Sequence, residues 1–498
     1  MTFRYTLGYA LLFGLTALLS HYDVWLTLPP ASIHQWRQAD GAAIAWHYAQ
    51  NPDFQEVRIC NLFRTGDDHA AGELPLLYWF SGLVSHYFGS PAYPLRWTGF
   101  LLLFAGGWAF GWMILQLTRR PAIAALGSGL LLTSPILAYY GPSFLPDAPA
   151  FCFVLMTAAC LFQAERRQSV FWLCAAAAGA ALAILLKLSM AIAPLAAGIA
   201  WGLGKRQQRW LPGTLWNGPW PVIALAGTAV IVSVFRWWIA QYNAAHHAVY
   251  FLASTRPIWN YDMSFIRETI AMVARAGLPA YASAGLYLAS CAGLFLTLKH
   301  WKSTPFAYRK IMSFAVPGCA AYVLLWFRML REHDYYVICL LIVPAMLLLN
   351  GLRLSLSRYA GKHIVYALGL CWLLGAWHNH YILSRRLYLA FHPETSENLP
   401  PAAFFRAGEL KKAGIPLSAR VLCPQDPSPD IALLALQRSG WTAYNFGDRI
   451  TTDTLFRYHT NFGLTHLALR DTAFYSPVYR QFFPARVYTG GGWYLYAH

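Results

Sequence analysis

Residues 96–118, RWTGFLLLFAGGWAFGWMILQLT, decide the fold class of this protein. After Arg96 this run carries no charge until Arg119 and Arg120. It is as long as the ~20 residues that a helix needs to cross the hydrocarbon of a bilayer. A basic turn directly after an apolar run is typical of the cytoplasmic end of a membrane-spanning helix. The stretch therefore predicts one span of a membrane protein.

The composition extends this prediction to most of the chain. Of 498 residues, 57% are hydrophobic and only 12% are charged, whereas soluble domains carry about 25% charged residues. Lys and Arg number 38 against 21 Asp and Glu, but the basic residues stand in short clusters between apolar runs, where they set membrane topology. We therefore expect the lipid bilayer as a partner and exclude nucleic acid.

The basic clusters orient the whole chain when each is placed on the cytoplasmic side. They are Arg4; Arg119 and Arg120; Arg166 and Arg167; Lys205, Arg206 and Arg209; Lys299, Lys302, Arg309 and Lys310; and Arg353, Arg358 and Lys362. About eleven spans result. They are expected at residues 5–28, 96–118, 121–140, 148–164, 169–186, 189–203, 219–239, 277–298, 311–328, 335–352 and 363–383. The amino terminus is then inside, and the residues after about Leu383 are outside.

Two regions outside the spans complete the predicted fold. If the apolar stretch 73–88 crossed the membrane, every later basic cluster would lie on the outer side. We therefore expect a surface helix there, within a large first outer loop. The residues after the last span contain no spanning run and indicate a small soluble α/β domain. Its strands are expected at 419–423, 441–446, 464–469 and 493–496, and its helix at 430–438. The predicted fold is an all-α polytopic membrane bundle, residues 1–383, followed by this outer domain, residues 384–498.

Ionisable side chains are costly near membrane depth, so their outer-side positions are informative. Asp40 lies one helical turn after Arg37, which is typical either of a structural ion pair or of a carboxylate held for catalysis. Glu73 and Asp147 each open an expected helix, so each is typical either of a structural cap or helix-start charge or of a site carboxylate. The topology, which used Lys and Arg alone, nevertheless puts all three carboxylates on one side.

Later outer segments add further ionisable side chains to the same face. They are Lys187, His246, His247, His333 and Asp334, the last followed by Tyr335. Carboxylates and histidines gathered at one membrane face suit metal binding or acid–base catalysis. Lys187, at an outer helix end, either extends its ammonium group to water or binds the phosphate of a lipid.

Five motifs together resemble a known family. They are residues 34–40, 72–79, 134–147, 186–187 and 333–336, in the family's order and spacing. On these motifs the chain resembles a bacterial member of the C-type glycosyltransferase superfamily, near the protein mannosyltransferases and the lipid A aminoarabinose transferases. The resemblance covers about residues 5–390.

The resemblance implies an enzyme that transfers a hexosyl or pentosyl group, with inversion, from a polyprenyl-phosphate sugar donor. The acceptor would be a hydroxyl of a glycan, lipid or protein, and the base an acidic residue of the first outer loop. It further implies a multi-pass protein of the bacterial inner membrane. The outer side, where the topology places the C-terminal domain, is then the periplasm.

The same resemblance assigns roles to single residues. Asp147 matches the second-loop aspartate of the family, and Lys187 matches a lysine near the carrier phosphate. Glu73 matches a carboxylate that helps to hold a divalent metal ion in some relatives, and His246 or His247 would be the other ligand. The residues expected at the substrates are Glu73, Lys187, His333, Asp334 and Tyr335.

Two residues compete for the role of the base. Relatives commonly have an Asp-Glu pair beginning three residues before the arginine matched by Arg37, and here His34 and Gln35 occupy those places. Position therefore favours His34, whereas chemistry favours Asp40, a carboxylate that Arg37 can orient. We prefer Asp40 as the base and expect His34 at the acceptor or a phosphate.

A transporter or a lipid-linked sugar flippase is the alternative function. Such a protein predicts broken helices, charges near the midplane and related halves of the chain. Lys187 and the acidic residues cluster towards one face instead, which favours a transferase.

Overall fold

The protein is described by a computed structural model over residues 1–89, 93–206, 214–248, 250–251, 255–394, 398–446 and 450–498. Arg209, part of one expected cytoplasmic turn, lies outside these residues. Nineteen described α-helices precede the outer domain. They are α1 Thr2–Leu19, α2 Tyr22–Trp25, α3 Gln35–Gln50, α4 Leu76–Phe88, α5 Tyr93–Thr118, α6 Pro121–Leu132, α7 Pro135–Tyr140, α8 Asp147–Arg167, α9 Val170–Leu186, α10 Ile192–Arg206, α11 Thr214–Asn217, α12 Trp220–Ala245, α13 Met263–Met272, α14 Leu278–Tyr281, α15 Ala284–Lys299, α16 Phe306–Leu325, α17 Met329–Glu332, α18 Ile342–Leu356 and α19 Gly361–Phe391.

Several of these helices are apolar enough to cross a membrane, as a multi-pass membrane protein requires. Within the described ranges, five qualify by length and composition, and a sixth counts if Met263–Tyr281 and Ala284–Lys299, bent by 97°, form one span. The five are Thr2–Leu19, Pro94–Thr118, Asp147–Arg167, Trp220–Ala245 and Asp334–Leu356. Each expected span contains a helix, but the count of eleven stays a prediction.

Some expected spans are interrupted for local reasons. The run 5–28 stops as a helix at Leu19, since His21 has a left-handed backbone with φ 59°. The run 121–140 divides before Pro135, because a proline ring disfavours helical geometry in the preceding residue, and Ser134 is extended. The run 335–352 begins as the 3₁₀ helix Asp334–Leu341.

The expected surface helix of the first outer loop is α4, and it packs on α3. Gly82 permits this contact, because a Cβ there would lie 2.3 Å from the Cβ of Tyr48. Phe80, Tyr87 and Phe88 remain exposed on α4. Helix α3 is buried along most of its length.

The outer domain contains a five-stranded sheet in the order β2-β1-β3-β5-β4. Its strands are β1 Arg420–Cys423, β2 Gly440–Thr442, β3 Leu464–Leu469, β4 Ala485–Gly490 and β5 Trp493–Ala497. Its helices are α20 Ala407–Lys412, α21 Ile431–Leu436, α22 Ala443–Phe446, α23 Thr452–Phe462 and α24 Pro477–Phe482. Strands β1, β2 and β3 are parallel, whereas β5 is antiparallel to both β3 and β4.

Two boundaries differ from those expected. The strand expected at 441–446 ends at Thr442, because the side chain of Asn445 accepts a hydrogen bond from the Thr442 backbone N–H at 2.9 Å and turns the chain into α22. Helix α19 continues past residue 383 to Phe391. The division into domains at 383 stays a prediction.

Part of the first outer loop joins the sheet of the outer domain. Asn61 pairs in parallel with Gly440 at the free edge of β2. The Leu62 N–H donates to the Gly440 carbonyl at 2.8 Å, and the Gly440 N–H donates to the Cys60 carbonyl at 3.1 Å. Trp441 Nε1 donates to the Phe63 carbonyl at 2.7 Å. The first loop and the outer domain therefore form one hydrogen-bonded unit.

Candidate active site

Helix α3 carries the predicted site residues Arg37 and Asp40, His34 directly precedes it, and close packing fixes its position. A Cβ on Gly41 would lie 2.2 Å from the Phe144 carbonyl oxygen, so glycine is required where α3 meets the second outer loop. Gln35 exchanges hydrogen bonds with the Leu399 backbone, at 2.7 and 2.6 Å. His34 precedes the helix with a φ of 56°, a left-handed geometry that is uncommon outside glycine and persists where neighbouring contacts hold it.

The first charged pair joins α3 to the segment before α4. Arg37 Nη2 donates to Glu73 Oε1, which also accepts the Tyr78 hydroxyl at 2.6 Å. Burial acts to raise the pKa of Glu73, but Arg37 and Tyr78 outweigh it and hold that pKa below its usual value. Glu73 is therefore an ionised carboxylate that holds Arg37 in place.

The second charged pair lies between α8 and α9. Lys187 Nζ is 2.8 Å from Asp147 Oδ1, and it lies 5.1 and 4.5 Å from the ring centres of Tyr335 and Tyr336. The Leu74 N–H donates to the Leu185 carbonyl at 3.0 Å. This bond brings the Glu73 segment next to the end of α9 that carries Lys187.

The third pair contains a histidine and a carboxylate. His34 Nε2 lies 3.2 Å from Asp334 Oδ1, and Asp334 Oδ2 accepts a bond from Arg386 Nη2 at 2.6 Å. The Tyr140 hydroxyl donates to Asp334 Oδ1 as well. Burial, with His34 and Lys187 nearby, lowers the pKa of His333 to about 4, so this neighbouring imidazole is neutral at physiological pH.

The three pairs surround Tyr335 and differ in how far their members are exposed. The ring of Tyr335 lies 5.2 Å from that of His34. Five side chains, which with Tyr335 we name the Tyr335 cluster, are partly exposed: Arg37 and Glu73 at 17%, Lys187 and Asp334 at 18%, and His34 at 19%. Asp147 is 1% exposed and Asp40 is fully buried. A ligand can therefore reach both cations and the imidazole, but not Asp40.

Asp40 faces the outer domain instead. Its Oδ2 accepts the Tyr250 hydroxyl at 2.9 Å and lies 3.8 Å from Arg37 Nη1. Its carboxyl group is within hydrogen-bonding reach of Asp430, the residue before α21. Burial raises the pKa of Asp40, with Arg37 and Tyr250 opposing, and burial together with Asp40 raises the pKa of Asp430.

A cluster of possible metal ligands lies where the first outer loop meets the end of α12. Among the described residues it consists of Asp67, His69 and His246, whose ligand atoms lie within 4.8 Å of one another. His246 was predicted as a ligand, whereas Glu73 is bonded to Arg37 instead, and His247 is exposed. The structure thus brings His246 together with one carboxylate, Asp67, and one histidine, His69, instead of the predicted Glu73 and His247.

These three residues suit a divalent ion by chemistry. Nitrogen and carboxylate donors are the usual ligands of zinc. The Nδ1 atoms of His69 and His246 lie 2.5 and 2.8 Å from the two oxygens of Asp67. His69 Nε2 lies 2.9 Å from Glu56 Oε2, and a carboxylate on the second ring nitrogen is typical of metal-binding histidines.

Sequence reasoning missed four residues at the site. They are Tyr140, Tyr250, Arg386 and Asp430. Tyr250 and Arg386 stand 210 and 52 residues from the carboxylates that they contact. No local spacing in the sequence marks such partners, because the fold alone brings them together.

Comparison with known proteins gives a family match for part of the chain. Residues 68–238 match the family model described as dolichyl-phosphate-mannose-protein mannosyltransferase. That segment includes Glu73, Asp147 and Lys187, and it ends before His246. No curated protein sequence matches the chain.

Solved structures extend the likeness to most of the chain. One is an oligosaccharyltransferase of Archaeoglobus fulgidus tethered to an acceptor peptide, at 10% identity and a TM-score of 0.50, covering 93% of this chain and 68% of that one. Another is the same organism's oligosaccharyltransferase AglB with an inhibitory peptide and a dolichol-phosphate, at 11% identity and a TM-score of 0.49, covering 94% and 70%. The first of these shows a shared fold. The resemblance predicted from the sequence is therefore confirmed: the chain is similar to the polytopic glycosyltransferases of the C-type superfamily, through a family match over residues 68–238 and a shared fold over most of its length.

Proposed function

We propose that the protein is a glycosyltransferase that moves a hexosyl or pentosyl group from a polyprenyl-phosphate donor to the hydroxyl of a glycan, lipid or protein acceptor. The observation that carries the proposal is the Tyr335 cluster, in which Arg37, Lys187 and His34 are all partly exposed. Two cations suit a phosphate, and an adjacent imidazole suits proton transfer. The matched family is named for a dolichyl-phosphate sugar, which supports this class of donor.

Lys187 is the proposed contact of the donor phosphate, with Arg37 beside it. Each cation is already held by a carboxylate, Asp147 or Glu73, so binding requires little reorganisation of either side chain. Negative charge grows on the phosphate as its bond to the sugar breaks. Cations fixed in this position stabilise that charge more in the transition state than in the ground state.

His34 is the proposed base, although the sequence led us to prefer Asp40. The acceptor oxygen attacks the anomeric carbon from the side opposite the phosphate, and the bond between that carbon and the phosphate oxygen breaks. The hydroxyl proton passes to His34. His34 Nε2 faces Asp334 Oδ1 and donates a hydrogen bond to it, so Nδ1 is the nitrogen that takes the new proton. A base must reach the proton that it removes, and Asp40 is fully buried. A single displacement of this kind inverts the anomeric centre.

We also propose a divalent metal ion at Asp67, His69 and His246. These residues join the first outer loop to the turn after α12, so the ion would add positive charge and tie the two segments together. Neither the phosphate contact nor the proton transfer proposed above depends on it.

Donor binding tests the function directly. Purified full-length protein is expected to bind and slowly hydrolyse one member of a panel of polyprenyl-phosphate sugars. Lys187→Ala should weaken that binding by about tenfold or more, since a charge-assisted contact is worth roughly 1.5–3 kcal/mol. Lys299→Ala, at a predicted cytoplasmic turn, is the control and should bind as the wild type does. Unchanged donor affinity in a folded Lys187→Ala protein would remove the phosphate role.

The same material separates the transferase from a flippase. A flippase would move intact donor across the bilayer of sealed vesicles without cleaving it. A transferase releases the polyprenyl phosphate and forms a glycosylated acceptor. Translocation without cleavage, for every sugar in the panel, would refute the proposed function.

A further inference from the structure

Two buried carboxyl groups meet where the outer domain contacts α3. Asp40 and Asp430 are both fully buried. Asp430 Oδ1 accepts the N–H groups of Cys60 and Asn61 at 2.9 and 3.1 Å, and Asp40 Oδ2 accepts the Tyr250 hydroxyl. The other oxygen of each carboxyl, Asp40 Oδ1 and Asp430 Oδ2, is buried and meets no N–H or O–H donor among the described residues.

Ionised carboxylates do not remain in contact away from water, because their charges repel. A proton between Asp40 Oδ1 and Asp430 Oδ2 would remove one charge and give both oxygens a hydrogen bond. We propose that Asp430 shares one proton with Asp40 and is thereby a positioning residue, which holds α3, and with it His34 and Arg37, in place for the reaction. The shared proton does not depend on the proposed function; only its role in holding His34 and Arg37 for the reaction does.

The surrounding groups do not replace that proton. Arg37, the cation facing Asp40 among the described residues, is 3.8 Å from Oδ2 and is bound to Glu73. Within the part of the chain that the structure describes, the other ionisable groups that face the pair are acids, which add repulsion when they ionise. They are Glu73, Cys60, Tyr250, Tyr335 and Tyr444.

The sign of the pH dependence follows from the directions of the two pKa values. Both are raised in the folded protein, by burial first. The folded state then holds a proton that the separated carboxyls would release, so the contact is strongest at low pH and is lost as pH rises through the raised values. Most other buried carboxylates that pair with cations have the opposite dependence.

Hydrogen exchange of the full-length protein tests the shared proton. The backbone N–H groups of Cys60 and Asn61 bond to Asp430, so their protection reports whether the contact is closed. In the wild type, protection corrected for intrinsic exchange should fall by up to about tenfold per pH unit once the shared proton is lost. In Asp430→Asn, the amide donates a hydrogen bond that does not titrate, so protection should change by less than about twofold over the same range.

Two further variants complete the experiment. Asp453→Asn, at an exposed position of α23, should keep the wild-type pH dependence. Asp40→Asn should abolish it as Asp430→Asn does, and it serves if Asp430→Asn does not fold. Equal pH dependence in wild type and both asparagine variants, or none in the wild type, would overturn the proposal. Hydrogen exchange is measured without a sugar donor or a sugar acceptor, so these outcomes are independent of whether the protein is a transferase.

Discussion

Exposure separates His34 from Asp40, although both belong to the same segment of the first outer loop. The side chain of His34 is 19% exposed beside Asp334, whereas Asp40 is fully buried against Tyr250 and Asp430. The sequence predicted that these residues, with Arg37, gather at one face, because apolar periodicity and basic clusters fix topology. Contacts with the outer domain decide which of two nearby ionisable residues reaches a ligand. No local pattern in the sequence marks these contacts.

Substitution of the two candidate bases tests this assignment. His34→Ala should lower turnover by about 10²–10⁴-fold, the usual contribution of a positioned base, with donor binding retained. Asp40→Asn keeps the shape and a hydrogen bond to Asp430, so it should lose less than about tenfold. Turnover is measured under saturating donor and acceptor. The reverse order of losses would return the base role to Asp40.

Small residues set how closely helices α3 and α4 pack against their neighbours. The sequence predicted both helices, since apolar spacing and a poor fit as a span were visible in it. It did not predict their contacts, because the residue type alone does not tell whether a glycine lies at a helix crossing or on a free surface. Gly41 lies against the Phe144 carbonyl, whereas Gly14 of α1 has no neighbouring atom within 4 Å of its added Cβ.

Alanine at these two glycines should have opposite effects. Gly41→Ala forces α3 away from the second outer loop, and overpacking of this kind costs about 1–3 kcal/mol. Turnover should fall as His34 and Arg37 move with the helix. Gly14→Ala should stabilise the protein slightly, because alanine favours a helix by roughly 0.5–1 kcal/mol over glycine. Thermal unfolding in detergent measures both. Similar melting temperatures for the two variants would contradict the close packing of α3.

The proposed metal ion would lie where the first outer loop contacts the end of α12. Purified wild-type protein should retain a divalent ion through gel filtration, and His69→Ala should lose it, because neutral imidazole is a ligand. His247→Ala, next to the proposed ligand His246 but exposed, is the matched control. Elemental analysis measures the ion content. Equal content in wild type and His69→Ala would exclude these ligands.

At the scale of the whole molecule, the apolar runs, the basic clusters and the pattern of residues after the last run predicted a membrane bundle with a small α/β domain. Strands β1, β3 and β5 lie where the sequence predicted strands, at 419–423, 464–469 and 493–496. Strand β4 was missed because its residues are mostly exposed or half-buried and have no apolar alternation. The outer domain also takes an edge segment from the first loop, a long-range pairing that periodicity does not reveal.

Cysteine labelling tests the predicted arrangement in the bacterial inner membrane. Arg120 and Lys411 are both exposed, and the topology puts the first inside and the second in the periplasm. In intact cells with a permeable outer membrane, a reagent that does not cross the inner membrane should label Lys411→Cys and not Arg120→Cys. Labelling after lysis is the control for accessibility. The reverse pattern would invert the topology and remove the case for an outer-face site.

The pairing of Asn61 with Gly440 also constrains when the protein can become active during its synthesis. Cys60 and Asp430 are separated by 370 positions, so the ribosome must make nearly all of the helices before the partner of Cys60 exists. Until then the first loop has no sheet edge to join, and the Asp40 carboxyl has no Asp430 to meet. A chain whose translation has not reached Gly440 therefore has an incomplete site, and a segment that is synthesised late completes one that is synthesised early.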